Sequence, residues 1–365
     1  MKSYFNKIRS LVKREGAARY LRITLICFGV SVIVTRMFLQ ATGFPQLGGA
    51  DTHIAHLLFG GLFLFIASLL PLVFANRWVF TTSAVLSGTG VGLFIDEVGK
   101  FISRTNDYFL PEAMPIIYAF FLLTLLFYLQ IRRPPPEDTR ADLYRAFDSF
   151  QEVLDYDLET QELKALEQRL IRVKSQNKNP SLSALASSLL DYLEKDARVV
   201  PEHPGFFERL TLRFSELEER LLTNRLLKIL LVVSLMGFGI YSFFDLITAF
   251  WAFLSPTYLV TLVETLISQG RIASDAYISW FVFRLLLQGI VGVLILLSSV
   301  FIAVGRAKKA VNFAYFGLLI SLTTVNLLVF YFDQFKAIYS TLGQLLVLFL
   351  VVIYRRRLFF PKTGY

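Results

Sequence analysis

The segment that opens Asp51-Thr52-His53-Ile54-Ala55-His56 passes through an apolar run to Ala75-Asn76-Arg77. It returns through a second run to Gly88-Thr89-Gly90-Val91-Gly92-Leu93-Phe94-Ile95-Asp96-Glu97-Val98-Gly99-Lys100. Each arm is long and apolar enough to cross a bilayer, and the short polar turn makes the pair a helical hairpin. His53 and His56 stand three apart, on one face of a helix that begins near Thr52. Asp96, Glu97 and Lys100 interrupt the second arm, where ionisable groups are costly and point to function. With the turn centred on residue 76, His56 falls at the depth of Asp96 and Gly60 at the depth of Gly92. Small residues at matching depth let two backbones approach closely.

The whole chain shares this character. Of its 365 residues 55% are hydrophobic and 18% charged, which is a polytopic membrane composition. The single cysteine, Cys27, excludes an intrachain disulfide framework and a multi-cysteine metal site. Charge is unevenly spread. Residues 134–222 carry 12 Lys and Arg against 18 Asp and Glu, a net of −6, so the remainder carries +15. That excess is the mark of anchoring against anionic lipid. No basic stripe interleaves with aromatics, so no nucleic-acid partner is expected.

Four segments follow. Residues 1–22, with seven Lys and Arg, read as a basic amphipathic helix on the cytoplasmic membrane surface. Residues 23–133 hold spans one to four, at about 23–39, 52–74, 78–102 and 113–131. Pro134-Pro135-Pro136 opens a polar helical insert, residues 134–222. Its apolar spacing runs Leu143, Phe147, Phe150, Leu154 and then Leu163, Leu166, Leu170, Ile171, with breaks at 177–180 and 201–205. Residues 223–365 hold spans five to eight, at about 226–250, 278–304, 311–332 and 338–354, with a short interfacial helix at 256–269. The fold expected is an all-α bundle of about eight membrane helices with a cytoplasmic helical insert. Outside the insert, 19 Lys and Arg fall on one side, three on the other and three within helices. The positive-inside rule then places both termini in the cytoplasm, the protein in the plasma (inner) membrane, and the His/Asp/Glu cluster near the outer leaflet. Spans five to eight match spans one to four in number, orientation and basic turn, as in a parallel repeat. Gln288 and Asn326 then stand where His56 and Asp96 stand.

Chemistry concentrates in the first set. His53, His56, Asp96 and Glu97, with Asp51 close by, are ligands suited to zinc, iron or manganese. The competing reading is an electrostatic clamp in which Asp96 or Glu97 pairs with Arg36, His56 or Lys100; Arg36 falls at the depth of His56. Asp245 and Arg284 are further charges within the apolar runs, pairing or lining a path. Gly88-x-Gly90-x-Gly92 lacks the strand and lysine of a phosphate loop and reads as close helix packing. Asp155-x-Asp157-x-Glu159 lacks the glycine of a calcium loop, and His203 reads as a solvent-facing turn residue.

The run Gly90 to Ile102, followed by Asn106-Asp107-Tyr108-Phe109, resembles a group of bacterial multi-pass integral membrane proteins. These share a helix started by Asp and His, a glycine-rich helix ending in Asp-Glu, and a tyrosine-bearing outer loop. The resemblance covers residues 50–130 and implies that the cluster works as a unit; it implies no reaction. Three functions stay open. The first is binding or transport of a metal ion, proton or small solute, with the insert recruiting a cytoplasmic protein. The second is a metal-dependent hydrolase or transferase acting on lipid, with Glu97 activating a metal-bound water. The third is a scaffold whose charges fix helix packing.

Overall fold

In the computed structural model the described residues are 11–43, 55–134, 138–176, 179–196, 199–200, 222–268 and 278–359, together with Arg209, Arg213 and Glu218. Eight helices among them are long and apolar enough to cross a membrane. They are α1 (Ala17–Thr42), α2 (His56–Val73), α3 (Trp78–Asp96), α5 (Ala113–Arg132), α9 (Asn224–Leu254), α11 (Ile278–Ala303), α12 (Ala307–Phe332) and α13 (Gln334–Phe359). Shorter helices are α4 (Val98–Ile102), α6 (Thr139–Leu154), α7 (Thr160–Gln176), α8 (Pro180–Asp196) and α10 (Pro256–Ser268). The chain is an all-α polytopic membrane bundle. It divides into one compact unit of residues 1–97 and 123–209 and another of residues 98–122 and 210–365.

In the first unit α3 packs against both α1 and α2. Glycines at the two contacts, Gly92 of α3 and Gly60 of α2, explain why. A Cβ on Gly92 would stand 2.6 Å from Ser31 Cβ of α1, and one on Gly60 would stand 2.7 Å from the Phe94 nitrogen. Larger residues at either place would push the helices apart. Two hydroxyls add ties between α1 and α3, Thr24 Oγ1 donating to the Ala84 carbonyl at 3.2 Å and Ser31 Oγ to the Thr89 carbonyl at 3.2 Å. Contacts of Gly60 with Gly90 and Leu93, and the Ser83 hydroxyl donating to the Ala67 carbonyl, reproduce the hairpin register expected from residue 76.

Three boundaries differ from the sequence expectation. Within the segment expected as a basic helix, residues 11–14 lack regular structure and α1 begins at Ala17, after Gly16 with φ 71°. Residues 1–10 lie outside the described residues. The second span begins at His56, because Ala55 is extended at its N-cap (φ −72°, ψ 140°). The third span stops at Asp96, where Glu97 (φ −90°, ψ 8°) leaves the helix before α4 resumes.

The insert has its own core. Asp138 caps α6 by accepting from the Arg140 backbone N–H. The buried face of α6 is Leu143, Ala146 and Val153, packed with Leu158, Leu166, Leu170 and Val173. Phe147 and Leu154, expected on that face, are exposed, as is Ile171, expected on the apolar face of α7. A two-residue parallel strand pair, Leu158–Glu159 with Val199–Val200, joins the helices. Polar contacts tie the insert to the spans of its unit. Arg77 in the hairpin turn meets Glu152 and, at 3.2 Å, Glu162, and Asn76 donates to Asp155 at 3.2 Å. Arg169 meets Glu15 at 2.9 Å and Arg14 meets Asp148 at 3.5 Å.

In the second unit α9 packs on α11, α11 on α12, α12 on α13, and α13 returns to α9. The first unit packs α1, α3 and α2 in a row, and the second packs α9, α11, α12 and α13 in a ring. A π-helical turn, Ser321–Val325, interrupts α12. Beside it the Tyr118 hydroxyl donates to the Leu322 carbonyl. Asn326 and Gln344 exchange amide hydrogen bonds of 3.1 and 3.2 Å, and Asn326 also donates to Thr341 at 2.9 Å.

Candidate functional site

Three helices of the first unit deliver one charged cluster. Arg36 comes from the last two turns of α1, His56 from the first residue of α2, and Asp96 and Glu97 from the end of α3. Arg36 Nε donates to Asp96 Oδ1 at 2.6 Å, and its Nη2 donates to the Asp96 backbone carbonyl at 3.2 Å. The pair is fully buried, with both side chains 0% exposed. His56 stands between two carboxylates: Nε2 lies 3.2 Å from Asp96 Oδ2, and Nδ1 lies 3.0 Å from Glu97 Oε1. Its side chain is 23% exposed, whereas that of Glu97 is 2% exposed.

The helix break at Glu97 makes this geometry. Successive residues of an unbroken helix point about 100° apart, so Asp96 and Glu97 could not both address one imidazole. Departure from helical dihedrals at Glu97 turns its carboxylate back to Nδ1 while Asp96 keeps Nε2. Chemically, an imidazole donates from each nitrogen that carries a proton, and each ring nitrogen of His56 faces a carboxylate oxygen.

Of the residues singled out from sequence, Arg36, His56, Asp96 and Glu97 come together. His53 and Asp51 lie outside the described residues. Lys100 belongs to the second unit, where its Nζ lies 5.5 Å from the Tyr108 ring centroid. Asp245 and Arg284 approach each other at 3.9 Å, also in the second unit. Among the described residues no group of three or more His, Cys, Asp and Glu side chains is placed to hold a metal ion. Gln288, expected as the counterpart of His56, is buried, as is Ser242 on α9, which the sequence reading passed over. Its signal was present: Ser242 and Asp245 lie three apart within an apolar run.

No family model matches the chain, and neither curated proteins nor solved structures give a match.

Proposed function

We propose that the protein is a membrane binding or transport protein whose first unit carries a proton-exchanging site. His56 takes up and releases the proton, Glu97 is its near partner, and the Arg36–Asp96 pair holds a fixed charge beside it. The supporting observation is the imidazole held between two carboxylates, with only the imidazole reaching the surface. A partly exposed titratable ring on an otherwise buried charge cluster gives a proton a way in. With the orientation read from the positive-inside bias, that opening faces the outer side.

The test uses nitrogen-15-histidine protein in lipid nanodiscs, with His53→Gln and His203→Gln leaving His56 as the only labelled ring. Exchange of the ring between charged and neutral forms across a pH titration, displaced by Glu97→Gln, is the expected result. A ring locked in one form throughout, indifferent to Glu97→Gln, would sink the proposal.

The scaffold reading draws on one observation of its own, the buried Arg36–Asp96 pair joining α1 to α3. The two readings divide the cluster: the clamp fixes the helices and His56 exchanges. Imidazole and carboxylate are also ligands for zinc, iron or manganese. Elemental analysis of the unsubstituted protein, with His53 intact, therefore separates a metal site, and with it the lipid hydrolase reading, from proton exchange.

A further inference from the structure

We propose that the seam between α9 and α11 in the second unit is a binding site for a small monovalent cation. Oxygens of Ser242, Asp245 and Gln288 would hold it, and Arg284 would be the internal cation it displaces. The residues differ from those of the first unit, and the proposal stands apart from proton exchange there.

The register comes from the glycines. A Cβ on Gly289 would stand 2.5 Å from Leu246 Cβ, one on Gly239 would stand 2.7 Å from Leu296 Cβ, and Gly292 abuts Ser242. This antiparallel contact brings Asp245 to the depth of Gln288, with Ser242 one turn to one side and Arg284 one turn to the other. Ser242 is 0% exposed and Gln288 6%. Ser242 Oγ and Gln288 Oε1 are both buried without a hydrogen bond from any described residue. In a membrane bundle such groups have no bulk water to turn to, so a partner within the seam is required.

The chemistry of that partner follows from the atoms. Gln288 Oε1 can only accept and Ser242 Oγ offers lone pairs, so an electropositive occupant satisfies both. A carboxylate, a hydroxyl and an amide oxygen form a hard-cation donor set. Asp245 and Arg284 already balance, so with Arg284 retained every charge brought in is excess in hydrocarbon, and a single positive charge costs less there than a divalent ion. Arg284 has somewhere to go. Its Nη2 is 3.9 Å from Asp245 Oδ1, at the outer limit of an ion pair, and its guanidinium carbon lies 5.0 Å from the Phe281 ring centroid. Entry of the cation would transfer Asp245 to it and leave Arg284 on the aromatic face.

The experiment uses the full chain in nanodiscs with lithium, sodium or potassium chloride, each against choline chloride at equal ionic strength. The expected result is a saturable rise of the unfolding midpoint with one alkali cation. Gln288→Leu should weaken the apparent affinity by about tenfold or more. Gln288→Glu, which puts a second carboxylate in place, should tighten it. Ser298→Ala, on the same helix but with its hydroxyl committed to the Ala310 carbonyl, should leave it unchanged. If no alkali cation raises the wild-type midpoint above choline, or if Gln288→Leu responds as wild type does, the proposal is overturned and an internal water fills the seam.

Discussion

Arg36 is among the largest wholly buried side chains of the protein, and Asp96 answers its charge with one side-chain and one backbone acceptor. Removing one member leaves the other charge unanswered, which in buried pairs costs about 3–5 kcal/mol. Arg36→Leu or Asp96→Leu alone should therefore lower stability by that order in detergent unfolding. The double variant Arg36→Leu/Asp96→Leu should recover much of the loss, and an additive double would show that the two side chains do not form an energetic pair. His56→Ala removes a partly exposed ring and should cost less than either single change. The depth of Arg36, His56 and Asp96 was readable from residue numbers, because two helices joined by a short turn run at a fixed rise. Rotation about each axis was not. The place of Glu97 was hidden for another reason: its route to His56 depends on a break in the helix, and nothing local in Ile95-Asp96-Glu97-Val98 demands one.

Helix contacts make stronger claims than single side chains. Gly92 lies where α3 meets Ser31 and Phe28 of α1, and Gly92→Val would force the two backbones apart. Overpacking of this kind costs about 1–3 kcal/mol. It should also loosen the Arg36–Asp96 pair a turn away, so Gly92→Val and Asp96→Leu should combine to less than their separate costs. At the other end of the hairpin, Arg77 meets Glu152 and Glu162 of the insert. These groups are partly exposed, and each such pair is worth about 0.2–1 kcal/mol and fades with salt. Arg77→Glu should speed limited proteolysis of the insert, and high salt should do the same to wild type. Restoration by Glu152→Arg would identify the pair as the cause; unchanged cleavage in Arg77→Glu would show that the insert is held elsewhere. The hairpin and the existence of insert helices were legible because apolar periodicity is strong there. The face of α6 was misread because Phe147 outweighs Ala146 in any hydrophobic pattern, yet Ala146 is the buried residue. Close packing chose volume over hydrophobicity.

For the molecule entire, the eight spans and the positive-inside bias yield a direct test. Cys27 is the only cysteine, so a Cys27→Ser background accepts single reporters. A cysteine at Thr105 should react with an impermeant thiol reagent from outside intact cells, and one at Ser175 only after the membrane is opened. The reverse pattern would invert the orientation. The composition announced a polytopic bundle, but not the division of the chain, because side-chain patterns record which faces are apolar and not which neighbour covers them. Residues 98–122 go with 210–365, and residues 123–209 go with 1–97. That interleaving constrains manufacture. A ribosome has every part of the first unit in hand once residue 209 emerges, whereas residues 98–122 enter the bilayer long before most of their own unit has been translated. Residues 98–122 are thus made well before the partners they pack with, while the helix that carries their last ten residues continues into the first unit.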